Sequence, residues 1–310
     1  MTKISVVMPV YNAAATLGET IESILRQAEQ DLTLIAIDDG STDATPQILA
    51  HYDDARVRVL RNAENVGLTR SLIAGCAAAK GTYIARHDAA DRSHPDRFRK
   101  QLRLLDDDPR LVCVSCTTDF VGPRGEYLFS THPSPPSLQP VKMIDTGAPH
   151  GIVAGPSHHG SVMFRRDAYE RAGGYRAEWY YGQDWDLWYR LGKEGLFQSI
   201  DEPLYIARVT PESISGSARG AQQELSRLSH EALLAREHGE SDAEIVAAAA
   251  RIRKAPPVER TARARGLYFI GEALRRNRDR RARGYLFKAL RCDPLLWRAW
   301  WRYAQSLAMR

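Results

Sequence analysis

Three short acidic segments concentrate the residues that could do chemistry. Asp38-Asp39-Gly40-Ser41-Thr42-Asp43 follows an apolar run, and a carboxylate at a strand's end can accept a hydrogen bond from a base or ribose. Asp, Gly and Ser also build a tight turn with a helix cap, and that reading stands beside the first. His87-Asp88-Ala89-Ala90-Asp91 sets two carboxylates three residues apart beside a histidine, a pattern that can hold a divalent ion through oxygen. An exposed acidic loop capping the next helix explains the same residues. Gln183-Asp184-Trp185-Asp186-Leu187-Trp188 lies behind Trp179-Tyr180-Tyr181-Gly182. Desolvation among aromatics raises a carboxyl pKa toward the range of a general base, whereas an N-cap Asp needs no such environment. Of His158 and His159 at most one can serve a metal or phosphate, because neighbours on an extended chain point apart. Cys113 and Cys116 share a predicted strand with no second pair to complete a zinc site, and read as buried thiols.

The elements that must position these loops alternate in hydrophobic period. Ile4–Val10 reads as a strand, and Leu17, Ile21, Ile24 and Leu25 recur as the stripe of an amphipathic helix. Strands are predicted again at 34–37, 57–60, 83–86 and 111–115, with helices near 42–49, at 68–80 and at 95–106 between them. Strand and helix alternating at this spacing imply right-handed crossovers and a mainly parallel sheet, whose ligands bind beyond the carboxyl ends of the strands. The loops at residues 11–16, 38–43 and 87–94 are therefore where chemistry should sit. Residues 122–160, rich in Pro and Gly, read as loop or lid. A short strand at 161–164 and helices at 166–172 and 184–195 come next. The chain then turns helical from about Ser217, with breaks near Pro256-Pro257 and Asp293-Pro294. A domain boundary is placed near 215–220, giving domains of 1–216 and 217–310. Residues 266–294 are spaced like one tetratricopeptide-type hairpin, although such arrays normally stack several.

The 310 residues allow about two domains, and 44% apolar with 26% charged residues exclude a wholly disordered chain. The start lacks the long apolar region of a signal peptide and reads as a first strand. Four cysteines are too few for a disulfide framework, which fits a reducing cytoplasm. The net charge of +5 hides an asymmetry: residues 251–310 hold fifteen Arg and two Lys against four carboxylates, +13, leaving −8 for the rest. Such a tail suits attraction to phosphates or a solvated helical face equally well.

In order, Val6-Val7-Met8-Pro9-Val10-Tyr11-Asn12, Asp38 to Asp43, Asn65-Val66-Gly67-Leu68, Gly81 to Asp88, Ser161 to Arg165 and Gln183 to Trp188 resemble family 2 glycosyltransferases of the GT-A fold. The resemblance covers about residues 3–210. It implies a Rossmann-like α/β sheet flanked by helices, here with a C-terminal helical extension. It also implies inverting transfer of a sugar from a nucleotide diphosphate (UDP, GDP or dTDP) to a saccharide or lipid-linked acceptor, as in bacterial surface polysaccharide synthesis. Carried over by position, Pro9, Tyr11, Asn12, Asp38, Asp39, Asn65, Gly67, Arg70, Asp88 and Ala89 would line the nucleotide-sugar site. Asp184 matches the catalytic base. Asp91, Asp88 and His159 would be the candidates to hold a divalent cation, Mn or Mg.

One position departs from the family pattern. Ala90 stands where an Asp usually binds the metal that carries the diphosphate, and an Ala has no ligand atom. Asp91 or Asp88 could take over with a shifted metal, or Arg86, Arg92 or His159 could replace the cation. Alternatively, the chain is a degenerate nucleotide-sugar-binding protein. For the basic tail the expectation is docking to an anionic membrane at its inner face, through Arg275 to Arg281 near Trp297, Trp300 and Trp301. Packing on the catalytic domain or on a second copy of the chain is the competing reading. No nucleic-acid-binding motif is present, so nucleic acid is not an expected partner.

Overall fold

The computed structural model describes residues 2–132, 142–144, 152–154, 156, 158–211, 219–252 and 260–309. Much of the Pro- and Gly-rich stretch, residues 212–218 at the expected boundary and the Pro256-Pro257 break lie outside the described residues. The described chain forms two compact units. The first comprises 1–118, 131–206 and 224–252, and the second 119–130, 207–223 and 253–310. The units do not follow chain order. Residues 224–252, expected with the C-terminal helices, group with the first unit because Trp179, fully buried, packs with Leu225, Leu228 and Ala249 and donates through Nε1 to Ser229 Oγ at 2.6 Å.

In the first unit the strands run β1 (Ile4–Val10), β2 (Leu32–Asp38), β3 (Val57–Arg61), β4 (Tyr83–Arg86), β5 (Arg92–Ser93), β6 (Leu111–Val121), β10 (Met163–Arg165) and β11 (Leu196–Arg208), and their spatial order is β3-β2-β1-β4-β10-β6-β11-β5. The first four pair in parallel, as the alternating pattern requires. The far half is antiparallel at β10 with β4 and β6 and at β11 with β5. The sequence pattern does not predict strand β11, because Asp201, Glu202 and Pro203 interrupt its apolar run. Every residue of β1 is buried, as a strand covered on both faces must be. The helix α1 (Leu17–Leu25) buries Leu17, Ile21 and Ile24 completely, each contributing roughly 1.5–3 kcal/mol. The helices α2 (Thr45–Ala50), α3 (Leu68–Ala78), α4 (Arg97–Asp107), α5 (Arg166–Arg171) and α6 (Gln183–Leu191) follow. Lys142–Ile144 and Ile152–Ala154 (β8, β9) form a separate antiparallel pair. Register sets Val10 beside Asp38 and Val7 beside Arg86, so the ends of β1, β2 and β4 open on one edge.

The second unit contains most of β7 (Tyr127–Thr131), found where loop was expected and forming a hairpin with the end of β6, whose residues 119–121 belong to this unit. Two helices, α7 (Arg219–Glu237) and α8 (Ala243–Arg251), precede its helical part. Helices α9 (Arg260–Arg276), α10 (Ala282–Cys292) and α11 (Trp297–Leu307) then pack Leu267, Ile270, Leu274, Leu286 and Leu290 into one core. Gly271 lets α9 and α10 approach, since a Cβ there would meet Leu286 Cγ at 2.8 Å.

Candidate active site

The Asp39 carboxylate, 3% exposed, holds the loop beyond β3. Its Oδ1 accepts from Asn62 Nδ2 at 2.8 Å and Val66 N at 3.0 Å, and Oδ2 accepts from Gly67 N at 2.9 Å. Asp38 Oδ1 accepts the Ser41 N–H at 3.0 Å, making the turn, while its Oδ2 lies 3.5 Å from Arg61 Nε. The turn reading of this segment is built by Asp38, and the Asp39 carboxylate shapes the Asn65–Gly67 wall. Gly67 has φ +93, and a Cβ there would meet the Tyr180 ring at 2.7 Å, so only glycine fits without displacement. Asn12, at φ 48, accepts from Thr42 N through Oδ1 at 2.8 Å and donates its N–H to Ser41 Oγ at 3.0 Å. Pro9, on β1, is buried, while Tyr11 is exposed above these ties, as are Asn65 and Arg70.

After β4 the chain gathers charge. Arg86, 1% exposed, places Nη2 2.6 Å from Asp88 Oδ1. Burial would raise the Asp88 carboxyl, but the Arg86 guanidinium beside it outweighs burial and holds it far below the usual carboxylate range. The Tyr205 hydroxyl donates to Asp91 Oδ2 at 2.8 Å and accepts the Asp88 N–H at 3.1 Å. Ala89 is fixed by its carbonyl, which accepts from Thr16 Oγ1 and Thr20 Oγ1 at 3.1 and 3.2 Å. Arg97, fully buried, braces the site from α4 by donating to the carbonyls of Arg86 and Gly160 at 3.0 and 2.9 Å. Gly160 is crowded against Tyr205, and a Cβ there would meet Asp88 Oδ2 at 2.9 Å.

Asp88, Asp91 and His158 each bring a donor atom within 4.8 Å of the others. His159, expected in this set, is elsewhere: its Nε2 lies 2.7 Å from the Tyr175 hydroxyl and its ring meets Trp188 edge-on. The reason is local, because His158 is extended (φ −154, ψ 137) and a 3-10 turn starts at His159, so the two rings diverge. His158 Nδ1 accepts the Gly160 N–H at 3.0 Å and so carries no proton. Burial keeps the ring neutral, which puts the proton on Nε2 and makes that edge a donor suited to a phosphate oxygen. Two carboxylates remain, and they fit a Mg- or Mn-type cation, which is commonly bound by one or two carboxylates plus substrate phosphates. His87 does not join them. It is buried with Nε2 3.0 Å from Ser93 Oγ and Nδ1 2.9 Å from the Asp88 carbonyl, and burial followed by Arg97 pushes its pKa down to about 3.

Asp184 and Asp186 share the first turn of α6. Asp186, fully buried, is ion-paired with Arg176 and with Arg190, the latter at 2.6 Å. Asp184 makes no side-chain ion pair among the described residues. Desolvation lifts its pKa to about 6 against the N–H groups of Asp184 and Trp185 and the charge of Arg86, all of which favour the ionised form. The aromatic segment before α6 is fixed by Thr69 Oγ1, which donates to the Trp179 carbonyl at 2.7 Å, and by Arg176, 4.1 Å over the Trp179 ring. Tyr205 and Arg97 as organisers are not marked by any local sequence signal, since each acts through a partner remote in the chain, and the sequence leaves the choice between His158 and His159 open.

A sheet whose strand ends carry these loops, with a carboxylate at the N-terminus of the helix that follows, defines a GT-A glycosyltransferase. The chain belongs to glycosyl transferase family 2, whose model matches residues 5–173. It is 36% identical over 218 residues to the putative glycosyltransferase EpsE of Bacillus subtilis, spanning 66% of this chain and 73% of that one. It is 37% identical over 103 residues to the succinoglycan biosynthesis protein ExoO of Rhizobium meliloti, spanning 33% of this chain and 30% of that one. Among solved structures, S. aureus TarS 1–349 in complex with UDP superposes with a TM-score of 0.56 at 16% identity over 98% of this chain and 88% of that one. The same TarS fragment has also been solved with UDP-GlcNAc, with a TM-score of 0.55 at 16% identity over 98% of this chain and 89% of that one. TarS shares the fold. The GT-A architecture expected from the motifs is the architecture observed, with the sheet mixed, parallel in one half and antiparallel in the other, rather than mainly parallel.

Proposed function

We propose that the chain transfers a sugar, with inversion, from a nucleotide-diphosphate donor to an acceptor hydroxyl, with Asp184 as the general base. The observation that carries this is the division of labour on α6, where Asp186 is neutralised by two arginines and Asp184 is left desolvated with a pKa near 6. A carboxylate so tuned accepts a proton near neutral pH. Asp184 takes the proton of the acceptor hydroxyl as its oxygen bonds to the anomeric carbon. The bond from that carbon to the diphosphate oxygen breaks, and the nucleoside diphosphate leaves with the electron pair. Arg86 and the His158 Nε2–H edge offer donors to the diphosphate. Asp88 and Asp91 would hold a divalent cation, which when bound neutralises the diphosphate leaving group. Tyr11, Asn12, Asp39, Asn65, Gly67 and Arg70 line the nucleotide side in this reading.

TarS binding of UDP and UDP-GlcNAc supports a nucleotide-sugar donor, and the names of EpsE and ExoO support a product among bacterial polysaccharides. Residues 1–216 hold every residue assigned to transfer. The C-terminal residues would meet an anionic membrane at its inner face through Trp297, Trp300 and Trp301, all more than half exposed. No helix among the described residues is long and apolar enough to cross a membrane. The test of docking is flotation with anionic vesicles after Trp300→Ser and Trp301→Ser: binding equal to that of the parent chain would overturn it, and a change in oligomeric state would assign the face to a second copy.

The transfer itself is tested by calorimetric titration with UDP, GDP and dTDP, with and without manganese, followed by turnover with the sugars of the nucleotide that binds. Metal-dependent binding of one nucleotide with turnover is expected, and no nucleotide binding would refute the reading. Ala90 and the Arg86–Asp88 ion pair favour a second reading, binding without turnover, which metal-indifferent binding and no transfer would support.

A further inference from the structure

The second unit contains a pocket of about 480 Å³, within the usual range for small-molecule sites. Its floor is Leu267 on α9 and Tyr285 on α10, both buried, and its rim carries Arg124, Arg263, Lys288 and Arg291. These residues come from three separate stretches of chain: Arg263 and Leu267 lie one helical turn apart, Tyr285, Lys288 and Arg291 repeat every three residues along one face, and Arg124 reaches in from the turn before β7. No carboxylate lines the pocket among the described residues.

The unit's described acids are engaged elsewhere. Glu272 pairs with Arg275, Arg276 and Arg302, and Asp279 with Arg281. Asp293 Oδ1 accepts the Leu295 N–H, and Asp119 accepts from Ser130 Oγ. Buried Glu126 is nearest, but its oxygens take the Tyr285 hydroxyl and the Arg124 N–H, each at 2.8 Å. Arg124, Lys288 and Arg291 therefore have no ion-pair partner among the described residues. Like charges gathered on one concave rim repel one another, and an anion seated among them relieves that repulsion.

We propose that this pocket is a binding site for a phosphate group carried on a larger molecule, either a phosphorylated saccharide or a lipid headgroup. Arginine forks and an ammonium suit the several oxygens of a phosphate better than one carboxylate, and the Tyr285 and Leu267 floor accommodates the ring or chain next to it. The site stands apart from the transfer reaction, so each can fail without the other.

The test titrates the full chain with inorganic pyrophosphate by calorimetry, with no divalent cation added so that the metal-dependent nucleotide site is not engaged, and floats it with phosphatidylcholine vesicles with and without phosphatidic acid. The double variant Lys288→Gln with Arg291→Gln is compared with the charge-matched control Arg265→Gln with Arg280→Gln, both of exposed residues outside the pocket. Pyrophosphate binding should weaken about tenfold or more in the pocket variant, the scale of one charge-assisted hydrogen bond, and stay unchanged in the control. Loss confined to pyrophosphate assigns a soluble phosphorylated ligand, and loss of flotation on phosphatidic acid assigns a lipid headgroup. Equal loss in both variants, or no response to either probe in the parent chain, would overturn the proposal. UDP binding measured in the same variants reports the nucleotide site separately.

Discussion

Tyr205 and Asp91 lie 114 residues apart in sequence and 2.8 Å apart in space, hydroxyl to carboxylate oxygen, and the same hydroxyl receives the Asp88 N–H. One side chain on β11 thus fixes both acidic residues of the loop after β4. Tyr205→Phe removes the donor to a buried carboxylate and the acceptor of a backbone N–H. It should cost about 1–3 kcal/mol of stability and raise the manganese concentration needed for nucleotide binding. Thermal unfolding and a manganese titration of UDP binding check both effects; unchanged values in each would show the contact to be idle.

Asp184→Asn should lower turnover about 10²–10⁴-fold while leaving nucleotide affinity nearly intact, as measured by initial rates and calorimetry. Activity of the parent chain should fall on the acid side with a midpoint near pH 6, where the carboxyl protonates. The stability effect has the opposite sign to that of a salt-bridged Asp. Because the folded pKa is raised above the ordinary aspartate value of 3.8, the native state binds more protons between the two values, and the charged form destabilises the fold at neutral pH. The Asn variant should therefore be more stable by up to about 3 kcal/mol above pH 6, less to the extent that solvent reaches the half-buried carboxyl, and equal to the parent below about pH 4, in denaturant titrations at the two pH values.

Asp186→Asn is the contrasting substitution two residues away. It leaves Arg176 and Arg190 without their shared buried carboxylate, although Arg176 keeps Asp242 at 2.8 Å. A loss of about 3–5 kcal/mol is expected, read as a lower denaturation midpoint, with turnover per folded molecule close to that of the parent.

Ala90→Asp restores a ligand atom to the turn between Asp88 and Asp91. If the loop still serves a cation, the variant should gain metal-dependent nucleotide affinity, read by calorimetry with and without manganese. A gain in turnover with no gain in affinity would instead place the new carboxylate's effect in the transition state.

The parallel half of the fold was legible because its signal is local. The all-buried Ile4–Val10 run and the Leu17, Ile21, Ile24 stripe obey short periods that any window of the chain displays. The motif loops were legible for the same reason. Strand β11 was not, since its polar interruption at Asp201–Pro203 hides a pairing that depends on Ser93 and Arg92 more than a hundred residues earlier.

Within the site, residue types and their placement at strand ends and at a helix start follow from sequence alone. Which of two like neighbours is paired and which is left to face the site does not. His158 rather than His159 faces Asp88 and Asp91 because a 3-10 turn begins between them, and Asp184 rather than Asp186 is left desolvated because two distant arginines claim the other. Sequence dictates the local backbone preferences and the stock of ionisable groups. Protonation and partnership depend on burial and on charges brought within a few ångströms, and only the packing of remote segments decides those.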